Sequence, residues 1–304
     1  MVLAFAAAVG LGLAATPAVG QVPEKSDSPL ATAETGPDSD DPAARGAYLL
    51  DAAGCLPCHT DPEDKAHPLA GGRALETPFG TFRAPNITPH PDDGIGRWSD
   101  QDFLRALQQG VSPGGAHYFP AFPYPSYSGM RDRDLRDIKA YIATLPPVAR
   151  SNLEHDIDFP FGFRFLIGIW KRLFFEPERF EPDPNRSPEW NRGAYLVRHV
   201  GHCGECHSPR NSFGAADGDR ALAGNPKGPD GKPVPNITPH PDDGIGDWTE
   251  SDVAYFLATG FRPDGEFAGG PMAEVIEDST GKLTDADRRA IAVYLLSQPA
   301  RPES

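Results

Sequence analysis

The chain has few cysteines, few methionines and few basic residues. Of its 304 residues, 4 are Cys and 3 are Met. The 28 Lys and Arg stand against 43 Asp and Glu, which gives a formal net charge of −15. This acidic excess argues against nucleic acid and anionic membranes as partners, and it favours docking to a basic patch on a partner protein. A chain of 304 residues is expected to form two domains. The hydrophobic fraction of 39% is low for a chain that must build two cores.

All the cysteines fall into two Cys-x-x-Cys-His motifs, at residues 55–59 and 203–207. This spacing is typical of covalent haem c attachment, because two thiols on one helical turn add to one porphyrin and the following imidazole binds the iron. A zinc site would need two such pairs, or one pair plus histidines, within one small domain, and these pairs lie almost half the chain apart. Neither a thioredoxin-like pair nor a disulfide would require the His. The sequence therefore predicts two haem c groups, held by Cys55, Cys58 and His59 and by Cys203, Cys206 and His207, with His59 and His207 as iron ligands.

The two halves of the chain repeat one another. The string RGAYL at residues 45–49 recurs at 192–196, and PNITPHPDDGIG at 85–96 recurs unchanged at 235–246. A Trp follows each long repeat, at Trp98 and Trp248. Because a repeat at this scale marks a repeated structural unit, each half is expected to be one copy of the same haem-binding unit.

The expected fold class is all-α. Apolar residues recur at three- and four-residue steps, Ser99 and Thr249 begin capping boxes, and no stretch alternates as a strand would. We expect two tandem domains, residues 43–148 and 191–300, joined by an aromatic-rich connector at 149–190. Residues 1–20 are predicted to be a signal peptide, and 21–42 a flexible linker.

The uncharged first 20 residues and the haem motifs together predict an exported, periplasmic protein. The connector contains seven Phe around Trp170, interrupted by Arg164, Lys171 and Arg172. These charges make a membrane span improbable. The connector is either a segment packed across the two domains or a docking surface for a membrane-associated partner.

The second axial ligand of each iron decides between electron transfer and catalysis. Apart from the initiator, the Met residues are Met130 and Met272, one in each half after its haem motif. Met272 lies in a Gly-rich loop that can approach a haem closely and is the stronger candidate. The equivalent position of the first half lies near Phe122, so Met130 is the weaker candidate. The rival ligands are His90, His240 and His117, the first two of which lie in strong turn sequences.

Polar residues of the long repeat are candidates for binding the haem propionates. The side chains of Asn, Thr and the indole of Trp donate hydrogen bonds that carboxylates accept. Bonding within local turns is the alternative role. The candidates are Asn86, Thr88, Trp98, Asn236, Thr238 and Trp248.

The repeated segments, together with PAFPYPSY at 120–127 and GGPMAEV at 269–275, resemble a known group. The chain is similar to the bacterial dihaem c-type cytochromes, akin to the cytochrome subunits of membrane-associated alcohol, aldehyde and related dehydrogenases. The resemblance covers most of residues 43–298. It implies two class I-like cytochrome c domains that pass electrons from a dehydrogenase towards quinone or a terminal oxidase. Several relatives carry three haem motifs, and some have Met at the position of Phe122.

We therefore expect a periplasmic electron carrier without substrate chemistry of its own. It would transfer one electron at a time from a dehydrogenase to an oxidase or quinone-linked acceptor of the respiratory chain. The alternative is a peroxidase-like dihaem enzyme, which needs an open or displaceable sixth site at the first haem. A thiosulfate-oxidising enzyme often uses a Cys ligand, and no Cys lies outside the two motifs.

Overall fold

A computed structural model describes residues 39–228 and 231–302. The expected signal peptide and most of the expected linker lie outside these residues. The first half contains α1 (Pro42–Ala52), α2 (Cys55–His59), α3 (Asp100–Gln109), α4 (Tyr124–Tyr127) and α5 (Asp132–Ile142). After α6 (Arg164–Phe174), the second half contains α7 (Pro188–Tyr195), α8 (Gly204–His207), α9 (Glu250–Thr259), α10 (Pro271–Asp278) and α11 (Asp285–Leu296). Among the described helices, none is both long enough and apolar enough to cross a membrane.

Corresponding helices of the two halves begin and end in the same way. Ser99 caps α3 and Thr249 caps α9, each in a reciprocal capping box with the Asp three residues later. Both helices end at a glycine with a left-handed backbone conformation, Gly110 at φ 59° and Gly260 at φ 76°. The predicted capping boxes at Ser99 and Thr249 are confirmed.

The first and last helices of each half cross at a glycine. A Cβ atom at Gly46 of α1 would overlap the carbonyl oxygen of Asp137 in α5, and one at Gly193 of α7 would overlap that of Ala290 in α11. Only glycine allows the two backbones to approach so closely. The Gly of each RGAYL repeat therefore fixes the helix crossing that forms the frame of its half.

A small antiparallel sheet corrects the expectation of an all-α fold. Strands β1 (Ala74–Thr77) and β2 (Gly80–Arg83) form a hairpin with Thr77 opposite Gly80, and β3 (Asp156–Ile157) pairs with β2. These strands are only four, four and two residues long, which is too short for alternation to be recognised in the sequence. The fold is helix-rich, with a minor sheet formed by the first half and the connector.

The buried apolar side chains of both halves form one continuous cluster. Leu50 and Leu135 of the first half lie in the same cluster as Val197 and Ile291 of the second half. A smaller cluster of Phe82, Phe119 and Ile167 packs α6 against the first half. The helical segment at residues 196–200, which continues α7, has the wider π form.

Candidate haem centres

The first Cys-x-x-Cys-His motif occupies the short helix α2. The chain enters it through Gly54, which adopts a left-handed conformation at φ 61° between α1 and α2. The imidazole of His59 donates from Nδ1 to the carbonyl oxygen of Pro85 at 2.8 Å. This hydrogen bond fixes the tautomer, so that Nε2 carries the lone pair that binds a metal. Pro85 opens the first copy of the long repeat.

The second motif has the same arrangement on α8. The Nδ1 atom of His207 donates to the carbonyl oxygen of Pro235 at 2.7 Å. Burial lowers the pKa of both imidazoles, of His59 and of His207, which keeps them neutral and able to bind iron. The long repeat was identified in the sequence, but its role in orienting the histidines was not.

All four thiols are free. Burial raises the pKa of Cys55 and of Cys203 to about 12, and that of Cys206 to about 11. Within the residues that the structure describes, no group of three His, Cys, Asp or Glu side chains is placed to hold a metal ion. Two free thiols and an oriented imidazole at each motif fit haem c.

The two motifs lie next to each other across the boundary between the halves. The carbonyl oxygen of Ala53 accepts hydrogen bonds from the Tyr127 hydroxyl at 2.8 Å and from His202 Nε2 at 3.3 Å. Ala53 lies just before the first motif and His202 just before the second. Cys58 is also close enough to Cys206 to help raise its pKa. One hydrogen-bonded contact thus brings both attachment sites together.

Each half also contacts the haem motif of the other half. In the first half, Ser126 of α4 donates to Glu205, which lies between the two cysteines of the second motif, at 2.7 Å. In the second half, Glu274 of α10 accepts from Arg73 at 2.8 Å. Arg73 in turn donates to the carbonyl oxygen of Pro57, inside the first motif, at 2.9 Å. These contacts join the segments that carry the two methionines to the opposite motif.

The two candidate methionines have different surroundings. Met130 lies between α4 and α5, and its side chain is 0% exposed within the main apolar cluster. Its carbonyl oxygen accepts from Gln108 and Arg179, both at 3.1 Å. Met272 is the second residue of α10, two residues after Gly270, and is half-buried at the edge of the same cluster. Their ligation of iron stays a prediction.

The rival histidines all have hydrogen-bond partners. His90 accepts the backbone N–H of Asp93 at 3.0 Å, and His240 accepts that of Asp243 at 3.1 Å. Both therefore stabilise the turns of the long repeat, as the turn sequence indicates. His117 lies 3.3 Å from the ammonium group of Lys171, on the side of the first half that α6 covers.

The residues predicted to bind the haem propionates fall into two groups. Asn86 accepts from the hydroxyl of Thr88 at 2.7 Å and donates to the carbonyl oxygen of Val148 at 2.8 Å. Asn236 makes the corresponding bonds to Thr238 at 2.7 Å and to Arg301 at 2.6 Å. These buried side chains stabilise the loop that orients each histidine. Trp98 and Trp248 lie half-buried against the main apolar cluster, and their binding of a propionate stays a prediction.

The comparisons with known proteins agree with this geometry. Residues 43–146 match the family model described as Cytochrome c. A diheme cytochrome c-type protein of Cereibacter sphaeroides is 45% identical over 282 residues, which cover 91% of each chain. The chain belongs to the dihaem c-type cytochromes. Covalently attached haem c is therefore its cofactor, and the motif at Cys55 and Cys58 matches the family.

The cytochrome is also similar to subunits of dehydrogenases. The fructose dehydrogenase cytochrome subunit of Gluconobacter japonicus is 42% identical over 86% of this chain, which spans 53% of that subunit. The alcohol dehydrogenase (quinone) cytochrome c subunit of Gluconobacter oxydans is 39% identical over 85% of this chain, which spans 55% of that subunit. The cytochrome thus spans about half the length of these two relatives.

Sequence reasoning missed the polar residues that join the two halves of the cytochrome. The hydroxyl of Tyr48 donates to Asp287 of α11, and that of Tyr195 donates to Asp134 of α5, both at 2.5 Å. Both tyrosines are the fourth residue of an RGAYL repeat, and each reaches the last helix of the other half. Because the whole RGAYL string is repeated, the sequence indicated that its two Tyr residues have the same role.

Proposed function

We propose that this dihaem cytochrome holds one haem c at each motif and transfers electrons one at a time from a dehydrogenase towards the respiratory chain. The observation that carries the proposal is the pairing of two equivalent motifs around Ala53, each with its histidine bonded to the carbonyl of a repeat proline. Adjacent one-electron centres are what a carrier between two partners requires.

The residues of the chain have distinct parts in this function. Bound haem c supplies an iron that exchanges a single electron. The Pro85 and Pro235 carbonyls hold the two imidazoles in one tautomer and orientation, which limits reorganisation when the charge on the iron changes. The apolar cluster around both motifs excludes water and favours the less charged, reduced state.

Support for a dehydrogenase as donor comes from the relatives, which include the cytochrome subunits of fructose, alcohol and gluconate 2-dehydrogenases. We propose a quinone-linked protein or an oxidase as the acceptor. The uncharged residues 1–20 and the haem motifs support export to the periplasm. The two equivalent helix frames support two tandem cytochrome c domains, residues 43–148 and 191–300, with 149–190 as the connector.

In this function Met272 would hold the iron of the second haem, and Met130 would hold the iron of the first. Each is the one methionine of its half that follows the haem motif. A thioether opposite an imidazole stabilises ferrous iron, which suits a carrier. The peroxidase-like alternative requires the first haem to have a displaceable ligand, so the ligation of Met130 separates the two functions.

Carbon monoxide binding to the reduced holoprotein tests these assignments. We expect the wild type to contain two haems per chain and to form no carbon monoxide complex. The variant in which Ala replaces Cys203 and Cys206 should contain one haem per chain. Met130→Ala and Met272→Ala should each open one iron to carbon monoxide. A wild-type complex at one haem would favour the enzyme alternative, and unchanged spectra in Met272→Ala would disprove that ligand.

A further inference from the structure

Helix α6 and the loop before it expose a row of large apolar side chains. Phe165, Ile169 and Leu173 lie one turn apart along α6 and are 67%, 52% and 68% exposed. Phe159 and Phe163 in the preceding loop are 85% and 50% exposed. Ring contacts join Phe159 to Phe163 and Phe163 to Phe165, at centroid distances of 5.9 and 6.0 Å. These five residues form one surface, called the α6 patch below.

The opposite face of α6 is anchored to the first half of the chain, so the α6 patch faces solvent. Ile167 is buried against Phe82 and Phe119. The ammonium group of Lys171 donates to the carbonyl oxygens of Gln109 and Gly110, at the end of α3, at 2.5 and 2.6 Å. Because these anchors fix the rotation of the helix, the patch does not turn inwards to bury its apolar side chains.

The charge of this segment is opposite to that of the whole chain. Residues 159–175 contain no Asp or Glu, although the chain has 43. Arg164 and Arg172 are exposed at the two ends of α6, and Arg164 is held in place by the carbonyl oxygen of His117 at 2.8 Å. Aromatic and aliphatic side chains flanked by Arg are the pattern of helices that lie at a membrane surface.

We propose that the α6 patch binds the interfacial region of a phospholipid bilayer, with Arg164 and Arg172 meeting the lipid phosphates. The 11 residues of α6 span about 16 Å, which is half of the roughly 30 Å of a hydrocarbon core, so the helix lies in the plane of the membrane. The patch has basic ends, Arg164 and Arg172, which suit a headgroup layer. The net charge of −15 opposes long-range attraction to anionic lipid, so burial of apolar surface supplies most of the binding.

Sedimentation with vesicles tests this proposal. The exported holoprotein is mixed with vesicles of phosphatidylethanolamine and phosphatidylglycerol, at low and at high salt. We expect the wild type to sediment with them and to lose little binding at high salt. Substitution of Phe165, Ile169 and Leu173 by Ser should weaken binding by roughly tenfold or more, and Arg164→Gln with Arg172→Gln should weaken it less.

The matched control replaces Tyr255 and Phe267 by Ser, since these side chains of the second half are 56% and 70% exposed but lie outside the patch. This control should bind like the wild type, and haem absorption and helix content should be unchanged in all variants. The proposal is overturned if the wild type does not sediment with the vesicles. That result is expected if the patch binds only a protein. Unchanged sedimentation of the triple Ser variant would also overturn the proposal, and neither result bears on electron transfer.

Discussion

At the scale of single residues, identical sequence strings perform identical roles in the two halves. The asparagines of the long repeat illustrate this, since Asn86 and Asn236 each accept from the Thr two residues later. The sequence predicted both asparagines as candidates for binding haem propionates, with bonding within local turns as the alternative. Their hydrogen bonds to distant carbonyl groups depend on chain segments more than 60 residues away, which no local pattern encodes.

Replacement of Asn86 by Ala should lower the free energy of unfolding by about 1–3 kcal/mol, because it leaves buried partners without their hydrogen bonds. Since Asn86 follows the proline that orients His59, the reduction potential of the first haem should shift as well. Chemical denaturation and a redox titration measure the two effects. Asn185→Ala is the control, because Asn185 is exposed and its side chain bonds only to Asp183. A loss below about 0.5 kcal/mol, the usual range for surface substitutions, would contradict the buried structural role.

At the scale of elements, the frame of each half depends on two helices that cross in contact. The Arg before each crossing glycine forms a two-pronged ion pair with the last helix, Arg45 with Asp137 and Arg192 with Asp287. The capping residues and the spacing of apolar residues predicted these helices from the sequence. The small sheet and helix α6 were not predicted, because strands of two to four residues and an aromatic helix leave no clear periodic signature.

The crossing glycines give the first prediction at this scale. Gly46→Ala and Gly193→Ala should each lower the free energy of unfolding by about 1–3 kcal/mol or more, because the added methyl group overlaps a backbone carbonyl oxygen. Thermal unfolding of the holoprotein measures the loss. Gly218→Ala should have little effect, since no atom lies within 4 Å of a Cβ atom there. Equal stability of all three variants would show that the helices do not cross as described.

The anchor of α6 gives a prediction about pH. Burial lowers the pKa of Lys171 from 10.5 to about 8. Between these values the unfolded chain binds more protons than the folded protein, so the stability contributed by this site rises with pH. Relative to Lys171→Met, which retains a long apolar side chain, the wild type should therefore gain Tm from about pH 8 to about pH 10. His117 and Arg164 face the same region in both proteins, and a pH-independent difference in Tm would contradict the lowered pKa.

At the scale of the whole molecule, the two halves are joined by reciprocal contacts. Tyr48 donates to Asp287 and accepts from the backbone N–H of Thr284, while Tyr195 donates to Asp134 and accepts from that of Arg131. Burial and Asp287 raise the pKa of Tyr48 to about 12, so its hydroxyl stays protonated and donates. Each Tyr thus binds the beginning of the last helix of the other half, and the pair holds the two haem motifs side by side.

Removal of these hydroxyl groups should loosen the connection between the halves. Tyr48→Phe and Tyr195→Phe should each lower the free energy of unfolding by about 1.5–3 kcal/mol, because a hydrogen bond to a buried carboxylate is lost. In the double variant, calorimetry should resolve two transitions where the wild type shows one, and electron exchange between the haems should slow. Tyr255→Phe is the control, since its ring is 56% exposed. A single transition in the double variant would contradict this account.

The sequence by itself determined the cofactor, the repeat, the capped helices and the candidate ligands, because attachment spacing, capping and periodicity are local properties of the chain. Only the tertiary structure decided which residues of one half meet the other. Ala53 meets Tyr127 and His202, and each repeat Tyr crosses to the opposite last helix. These partners lie from about 60 to 240 residues apart, so they come together only when burial of apolar surface packs the two halves into one core.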